Sequence, residues 1–158
     1  MQGLRLWAMD ALAFRLSPID TATADDLRRS GGEIHVAEES PGYPCRQCLR
    51  DAAVGEELVL VSHDPFTTDS PYRSASPIFL HREPCGTPDD LDQIPPQLSG
   101  RQLSVRSFDR REMMIAAAVI DGRELASVID ELLDDDASAR LHVHNASRGC
   151  WAVTVDRA

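Results

Sequence analysis

Short apolar segments separated by polar turns dominate the hydrophobic pattern of the chain. Some alternate apolar with polar residues and others are unbroken runs of leucine and β-branched residues, which are the patterns of half-buried and buried strands. Strands are predicted at residues 34–37, 58–61, 78–80, 103–106, 114–120, 141–144 and 151–155. Because several of them follow one another through short polar turns, the pattern favours antiparallel pairing.

Two segments have helical periodicity instead. Apolar residues recur at spacings of three and four between Leu125 and Leu133, which predicts an amphipathic helix over residues 123–133. Thr23 and the two aspartates near it have the pattern of a helix start, and they predict a short helix that ends at Gly31. The fold class predicted for the chain is α+β, a single compact domain with a mostly antiparallel sheet and one main amphipathic helix near the C-terminus.

The remaining segments are predicted to be loops, because prolines interrupt them. Residues 67–76 form one such loop, and residues 84–100 form another with no more than a helical turn at 88–91. The chain of 158 residues suits one domain, which we assign to residues 11–158. Residues 1–10 are predicted to be a flexible leader. They are not predicted to be an export signal, because Asp10 interrupts the apolar run and no export cleavage site follows.

The charge of the chain restricts its partners. It has 26 acidic and 16 basic residues, which gives a net charge of -10. Such a surface repels phosphate backbones and anionic lipids, so nucleic acid and membranes are not expected partners. We therefore predict a cytoplasmic protein that binds a small molecule or another protein. In that compartment, its four cysteines are expected to be thiols or metal ligands rather than disulfides.

Three of the four cysteines and two of the five histidines cluster in the middle of the chain. Cys45 and Cys48 are spaced so that both sulfurs can bind one ion, and His81 and Cys85 can supply two more ligands. These four residues predict a tetrahedral metal site, with zinc as the expected ion. Cys150 is an alternative to His81 if the C-terminal hairpin packs alongside. Without a metal, the cysteines would be small buried hydrophobic residues.

The same region permits thiol chemistry as an alternative. Arg46 follows Cys45, and a neighbouring cation favours the thiolate, which is the nucleophilic form of cysteine. His63 or His81 is the candidate base, and Asp64 could orient an imidazole. An enzyme of this kind would act on a small acidic or thiol-bearing metabolite.

Other polar residues suggest a ligand pocket. Arg46, Tyr72 and Arg73 lie on predicted loops, and arginine binds carboxylate or phosphate through two parallel hydrogen bonds. Arg73 could equally pair with a nearby carboxylate and fix its own loop. His142 and His144 alternate with apolar residues, so both are predicted on one half-exposed face of a strand.

Four motifs in combination resemble a bacterial family. They are Tyr-Pro-Cys-Arg at 43–46, Gly-Glu-Glu at 55–57, Ser-Pro-Tyr-Arg-Ser-Ala-Ser-Pro-Ile-Phe at 70–79 and His-Asn-Ala-x-x-Gly-Cys at 144–150. The chain resembles DUF1203, a domain of unknown function, from about Phe14 to Arg157. The resemblance implies one compact bacterial domain of about this length, and it implies no particular activity or catalytic residue.

Three functions are compatible with the sequence. The first is a binding or interaction module that a Cys/His zinc site stabilises. The second is a small enzyme that uses Cys45 or a nearby histidine together with Arg46 and Arg73. The third is a purely structural domain without a metal. The pattern alone does not decide whether the protein is an enzyme.

Overall fold

The structure is a computed structural model that describes residues 13–158, so the predicted leader at residues 1–10 lies outside the described residues. In chain order, the strands and α-helices of this part are β1 (Phe14–Ser17), α1 (Thr21–Ser30), β2 (Glu33–Val36), β3 (Glu57–His63), β4 (Ser76–His81), α2 (Pro96–Ser99), β5 (Gln102–Phe108), β6 (Met114–Asp121), α3 (Leu125–Leu133), β7 (Arg140–Asn145) and β8 (Trp151–Arg157). A short 3-10 helix, Gly122–Glu124, leads into α3.

The strands form two antiparallel sheets. The larger has five strands in the order β1-β8-β7-β5-β6, and the smaller has three in the order β2-β3-β4. Every pair of neighbouring strands is antiparallel. The predicted α+β class and the mostly antiparallel pairing are therefore confirmed. Within residues 13–158, no helix has the length and apolar content needed to cross a membrane.

The helices differ in part from the prediction. α3 exists and buries Leu125, Ile129 and Leu133, as its periodicity predicts. However, α1 has ten residues against nine in α3, so the prediction of one main helix is not confirmed. α1 starts after Asp20, whose carboxylate accepts a hydrogen bond from the Thr23 N–H, and it ends at Gly31.

The proline-rich segment before β5 contains a helix at a different place from the predicted one. A turn closed by a hydrogen bond from the Gln93 N–H to the Asp90 carbonyl lies two residues beyond the predicted 88–91, and the segment also contains the helix α2, which was not predicted. The fixed φ of proline suits the first helical position, which explains why a helix starts where two prolines meet. The buried Leu91 has another role, because its carbonyl accepts a hydrogen bond from Leu16 N–H of β1 at 2.7 Å.

The five-stranded sheet is covered on both faces. On one face, α3 packs against aliphatic residues of the strands, among them Leu103, Leu141 and Val153. On the other, the β3–β4 connection brings Phe66 against Phe108 and His142, with ring centroids 5.4 and 4.8 Å apart. His142 and His144 are consequently buried, which corrects the prediction of a half-exposed face.

Candidate metal centre

The Cys45–Cys48 segment forms a tight turn that the neighbouring strands hold in place. The Cys45 N–H donates to the Arg50 carbonyl at 3.0 Å, which closes the turn on itself. The Arg46 N–H donates to the Phe79 carbonyl of β4, also at 3.0 Å. Leu49 has the left-handed φ of 58°, which reverses the chain directly after Cys48. These bonds fix both sulfurs beside the end of β4.

The other two residues of the cluster lie at that end of β4. His81 is its last residue, and its backbone N–H donates to the Cys45 sulfur at 3.3 Å. Cys85 follows in the next turn, where its sulfur lies 3.7 Å from the Cys45 sulfur. The strand end thus brings residues 81 and 85 to the sulfurs of the earlier turn.

All four predicted metal ligands are brought together. One ligand atom from each of Cys45, Cys48, His81 and Cys85 lies within 4.8 Å of the others. The Cys48 sulfur is 3.5 Å from Nδ1 of His81. Only Cys85 is half-buried, while the other three are buried and Cys45 is 0% exposed. Such a buried group of three cysteines and one histidine could hold a metal ion.

The distances fit a tetrahedral ion of the size of zinc. Metal bonds of ~2.3 Å to sulfur and ~2.0 Å to nitrogen give tetrahedral edges of about 3.8 Å between sulfurs and about 3.5 Å from sulfur to nitrogen. The Cys45–Cys85 and Cys48–His81 separations are 3.7 and 3.5 Å. These two of the six separations match such an ion, and all six lie within 4.8 Å.

Hydrogen bonds within the cluster separate the pKa values of its members. Bonds from Cys48 and Cys85 to the Cys45 sulfur lower the pKa of the Cys45 thiol. The pKa of Cys48 is raised, chiefly by its hydrogen bond to Cys45. The pKa of His81 is raised to about 10 by its hydrogen bonds to Cys45 first and Cys48 second. A metal ion would compete with these protons for the same ligand atoms.

Glu56 orients the imidazole from its outer side. Its Oε1 lies 3.2 Å from Nε2 of His81, and it also accepts a hydrogen bond from the Ala53 N–H at 2.7 Å. The Ala53 bond is the main reason why the pKa of Glu56 is lowered, and His81 adds to it. A carboxylate that accepts from Nε2–H leaves Nδ1 free to bind a metal, an arrangement frequent around protein-bound zinc.

Arg28 of α1 supplies a positive charge beside the half-buried cysteine. Its guanidinium donates to the Cys85 sulfur at 3.6 Å, to the Gln47 side-chain oxygen at 2.7 Å and to the His81 carbonyl at 2.8 Å. Three thiolates around a divalent ion leave a net negative charge, which this guanidinium offsets. No feature of the sequence indicates Arg28, whereas Glu56 lies in the Gly-Glu-Glu motif.

The family of the chain follows from the segment that contains all four cluster residues. A family model described as a protein of unknown function, DUF1203, matches residues 42–157. The chain belongs to the DUF1203 family. The DUF1203 match covers most of the chain and both β-hairpins of the larger sheet, but it starts after α1 and β2, later than the expected start near Phe14. Searches of the curated proteins and of the solved structures found no match.

Other predicted residues of this DUF1203 domain lie away from the cluster. Cys150, the alternative fourth ligand, instead accepts a hydrogen bond from the Arg46 guanidinium at 3.2 Å. Arg46 is 1% exposed and also donates to the carbonyls of Pro44 and Trp151. The Arg46 side chain therefore joins the Cys45–Cys48 turn to β8 and its preceding residue, Cys150.

His63 and the arginine loop are also separate from the cluster. The His63 ring packs against Trp151, with centroids 5.0 Å apart. Arg73 pairs with Asp64 at 2.7 Å and with Asp69 at 2.8 Å, and the exposed Tyr72 ring packs against Phe108. These contacts fix the β3–β4 connection, and the catalytic and ligand-binding roles of these residues stay predictions.

A cleft adjoins the cluster on the side of Cys48. Its volume is about 690 Å³. Its lining includes Cys48, Leu49, Leu16 of β1 and residues 93–97 of the proline-rich segment. Residues 93–97 include Gln97, which also donates from its side-chain amide to the Cys45 carbonyl at 3.1 Å. The turn that contains Cys48 and the segment that contains Gln97 therefore both line the cleft, and Gln97 also bonds to Cys45 of the cluster.

Proposed function

We propose that this DUF1203 domain is a binding module stabilised by a structural zinc ion at Cys45, Cys48, His81 and Cys85. The observation that carries the proposal is the placement of one ligand atom from each of these four side chains within 4.8 Å of the others, in a cluster of which three members are buried. Sulfur-rich tetrahedral sites select zinc or iron–sulfur clusters, and zinc suits the mixed set of three thiolates and one imidazole.

A structural role is favoured over a catalytic one by the number of ligands. Catalytic zinc sites keep one coordination position open for water or substrate, whereas structural sites are closed by four protein ligands. Here four side chains are available, and three of them are buried. The partner is a small molecule or a protein segment, for which the cleft beside Cys48 offers space.

An enzyme with a cysteine nucleophile is the alternative. The lowered pKa of Cys45 beside the raised pKa of His81 supports it, because a thiolate–imidazolium pair is the active form of many cysteine nucleophiles. The complete burial of Cys45 opposes it, since a substrate must reach the sulfur. A purely structural domain without metal is the third possibility, and it would leave all four thiols unligated.

Elemental analysis of freshly purified protein distinguishes these functions. We expect about one zinc per chain, lost in a Cys48→Ser variant and retained in a Cys150→Ser variant, whose cysteine lies outside the cluster. Protein without metal, in which one thiol reacts rapidly with an alkylating reagent at neutral pH, would favour the enzyme instead. Four slowly reacting thiols and no metal would leave the purely structural domain.

A further inference from the structure

The five-stranded sheet carries a block of four polar side chains on the face away from α3. Arg106 of β5 pairs with His142 of β7, and Ser104 of β5 pairs with His144 of β7. Residues two apart on a strand share a face, as do residues opposite each other in an antiparallel pair. Val105, which lies between the two β5 residues, belongs to the core beneath α3 instead. These four side chains, the polar block, therefore lie side by side on the other face.

The two histidines of the polar block lack hydrogen-bond partners although they are buried. His142 is 1% exposed and His144 is 3% exposed. Within residues 13–158, neither ring nitrogen of His142 has a partner, and neither does Nε2 of His144. The other nitrogen of His144, Nδ1, lies 2.8 Å from the Gly149 carbonyl. Unpaired polar atoms in the interior are costly, so three unpaired nitrogens at one place indicate that a further group binds there.

Arg106 gives the polar block a positive charge that no carboxylate balances. In the part of the chain that the structure describes, its guanidinium makes one hydrogen bond, from Nε to the Ser104 hydroxyl at 3.2 Å. Burial lowers the pKa of Arg106, because an unpaired cation is costly away from water. Its two terminal nitrogens keep the planar fork with which arginine binds a carboxylate or a phosphate. Arg106 therefore lacks a counter-ion that it is shaped to bind.

Two further cations lie near the imidazoles. Burial is the main reason why the pKa values of His142 and His144 are lowered to about 4, and the charge of Arg106 contributes to both shifts. The charge of Arg140 adds to the shift of His142, and that of Arg46 adds to the shift of His144. Neutral imidazoles can bind metal ions, but three guanidinium groups would repel a cation and attract an anion.

Glu112 is the carboxylate that acts on His142 in the opposite direction, and other donors already occupy it. Its charge opposes the lowering of the pKa of His142. Its Oε1 accepts hydrogen bonds from the N–H groups of Thr67 and Thr68 at 3.0 and 2.6 Å, and from the Thr68 hydroxyl at 2.6 Å. Because the β3–β4 connection satisfies this carboxylate, Glu112 leaves the guanidinium of Arg106 unpaired.

The polar block is open to solvent on the side of β6. Arg106 and Ser104 are partly exposed, whereas the histidines behind them are buried. Ala117 and Val119 of β6 pair with Arg106 and Ser104, so they lie on the same face, and both are exposed. Their small apolar side chains would gain from contact with another apolar group. An anion with a short aliphatic chain could therefore lie on β6 and reach Arg106 with its charged end.

We propose that the polar block binds a small carboxylate with a short aliphatic chain, through the guanidinium of Arg106 and a ring N–H of His142. The carboxylate supplies the missing counter-ion and an acceptor for a buried imidazole, and the aliphatic chain covers Val119. This site uses none of the four possible metal ligands and none of the residues that line the cleft beside Cys48. The proposal is therefore independent of the zinc ion.

Calorimetric titration of the full chain with hexanoate tests the site. We expect a dissociation constant of about 1 mM, which is reasonable for a ligand of this size. Arg106→Gln should weaken binding by about tenfold or more, because it removes the charge and the fork. Arg15→Gln is the matched control, because Arg15 is exposed on β1, at the opposite edge of the same sheet. No binding at about 50 mM hexanoate, or equal binding by the two variants, would overturn the proposal.

NMR spectra of the imidazole nitrogens test the role of His142 in the unmodified protein. We expect hexanoate to shift the ring-nitrogen resonances of His142 and to leave those of His35, which lies on β2 of the smaller sheet, unchanged. Hexylamine has the same chain length and the opposite charge, so it should shift neither. Unchanged His142 resonances would mean that internal water pairs with its nitrogens, and they would contradict the proposal. Equal shifts with hexanoate and hexylamine would contradict it as well.

Discussion

The two sheets of the domain are held together by different means. In the five-stranded sheet, Leu125 of α3 packs in one aliphatic core with Leu103 and Val153 of the strands, and all three are 0% exposed. The three-stranded sheet packs against α1 through Ala24 and Leu27, and cysteines take part in the same core. One region is stabilised by buried apolar area, and the other brings four possible metal ligands to its centre.

This difference shows why a metal ion would matter for one region and not for the other. Each fully buried leucine or valine contributes about 1.5–3 kcal/mol, and the larger sheet has many of them. The smaller sheet is flanked by loops rich in proline and serine, which contribute little apolar area. The core beside the smaller sheet has fewer buried residues than the core beneath α3. A structural zinc ion supplies folding free energy directly, so it would add to the stability of this smaller core.

Removal of the metal should have the largest effect. We expect Cys45→Ser, or a strong chelator, to lower the free energy of unfolding by about 5 kcal/mol, because it opens the cluster and leaves buried polar atoms. Hydrogen exchange should show the loss first in β3 and β4, while β5, β7 and β8 stay protected. Uniform loss of protection over both sheets would mean that the two regions do not differ in this way.

Truncation in the larger core should be the next largest effect, and it should leave the metal in place. Leu103→Ala removes buried methyl groups beneath α3 and should cost about 2–5 kcal/mol, measured by denaturant unfolding. Zinc content should not change. Val119→Ala on the exposed strand is the control, with an expected cost of less than about 0.5 kcal/mol. Metal loss in Leu103→Ala would contradict the separation of the two regions.

Acid should lower the free energy of unfolding through protonation of the buried His142. Burial lowers its pKa from 6.5 to about 4, and neither ring nitrogen has a hydrogen-bond partner within residues 13–158. The unfolded chain therefore binds a proton that the folded chain rejects between these two values. Stability from this group is fully present above pH 6.5 and is lost as the pH falls to about 4. The loss corresponds to about 3 kcal/mol.

A variant isolates this contribution. His142→Leu replaces the titrating imidazole with an apolar side chain that can pack against Phe66 and Phe108. Its free energy of unfolding should fall less on acidification than that of the original chain, by about 3 kcal/mol between neutral pH and pH ~4. Parallel curves for the two proteins would show that His142 is not buried as a neutral imidazole.

The smallest expected effect concerns Glu56. Glu56→Gln weakens the hydrogen bond to Nε2 of His81 and should reduce metal affinity about 10- to 100-fold, measured by competition with a chromophoric chelator. Glu57→Gln is the matched control, because Glu57 pairs with Arg82 instead. Equal affinities in the two variants would indicate that Glu56 does not orient the imidazole.

The features of the domain that were predictable from the sequence are those with local signals. The spacing of Cys45 and Cys48 indicates a turn, and the apolar runs indicate β3 and β4, which places His81 and Cys85 at a strand end. Glu56 and Arg28 were not predictable as neighbours of the cluster, because their positions depend on strand register and on how α1 packs.

Neither the burial of His142 nor the exposure of β6 was predictable from the sequence, and the reason is the same for both. Alternation shows which residues share a face of a strand, but not what covers that face. The cover of His142 comes from Phe66 in the β3–β4 connection, far away in the chain. Similarly, the apolar run of β6 does not reveal that it lies at an edge, because strand order is set by pairing between distant segments.

The coordination shell of the metal tests the central claim most directly. X-ray absorption at the zinc edge of the purified protein should show three sulfurs at ~2.3 Å and one nitrogen at ~2.0 Å. In Cys85→Ser, one sulfur should be lost from that shell, while Cys150→Ser should leave it unchanged. A shell of oxygen and nitrogen only, or protein that binds no zinc at all, would contradict the claim that these four residues form a zinc centre.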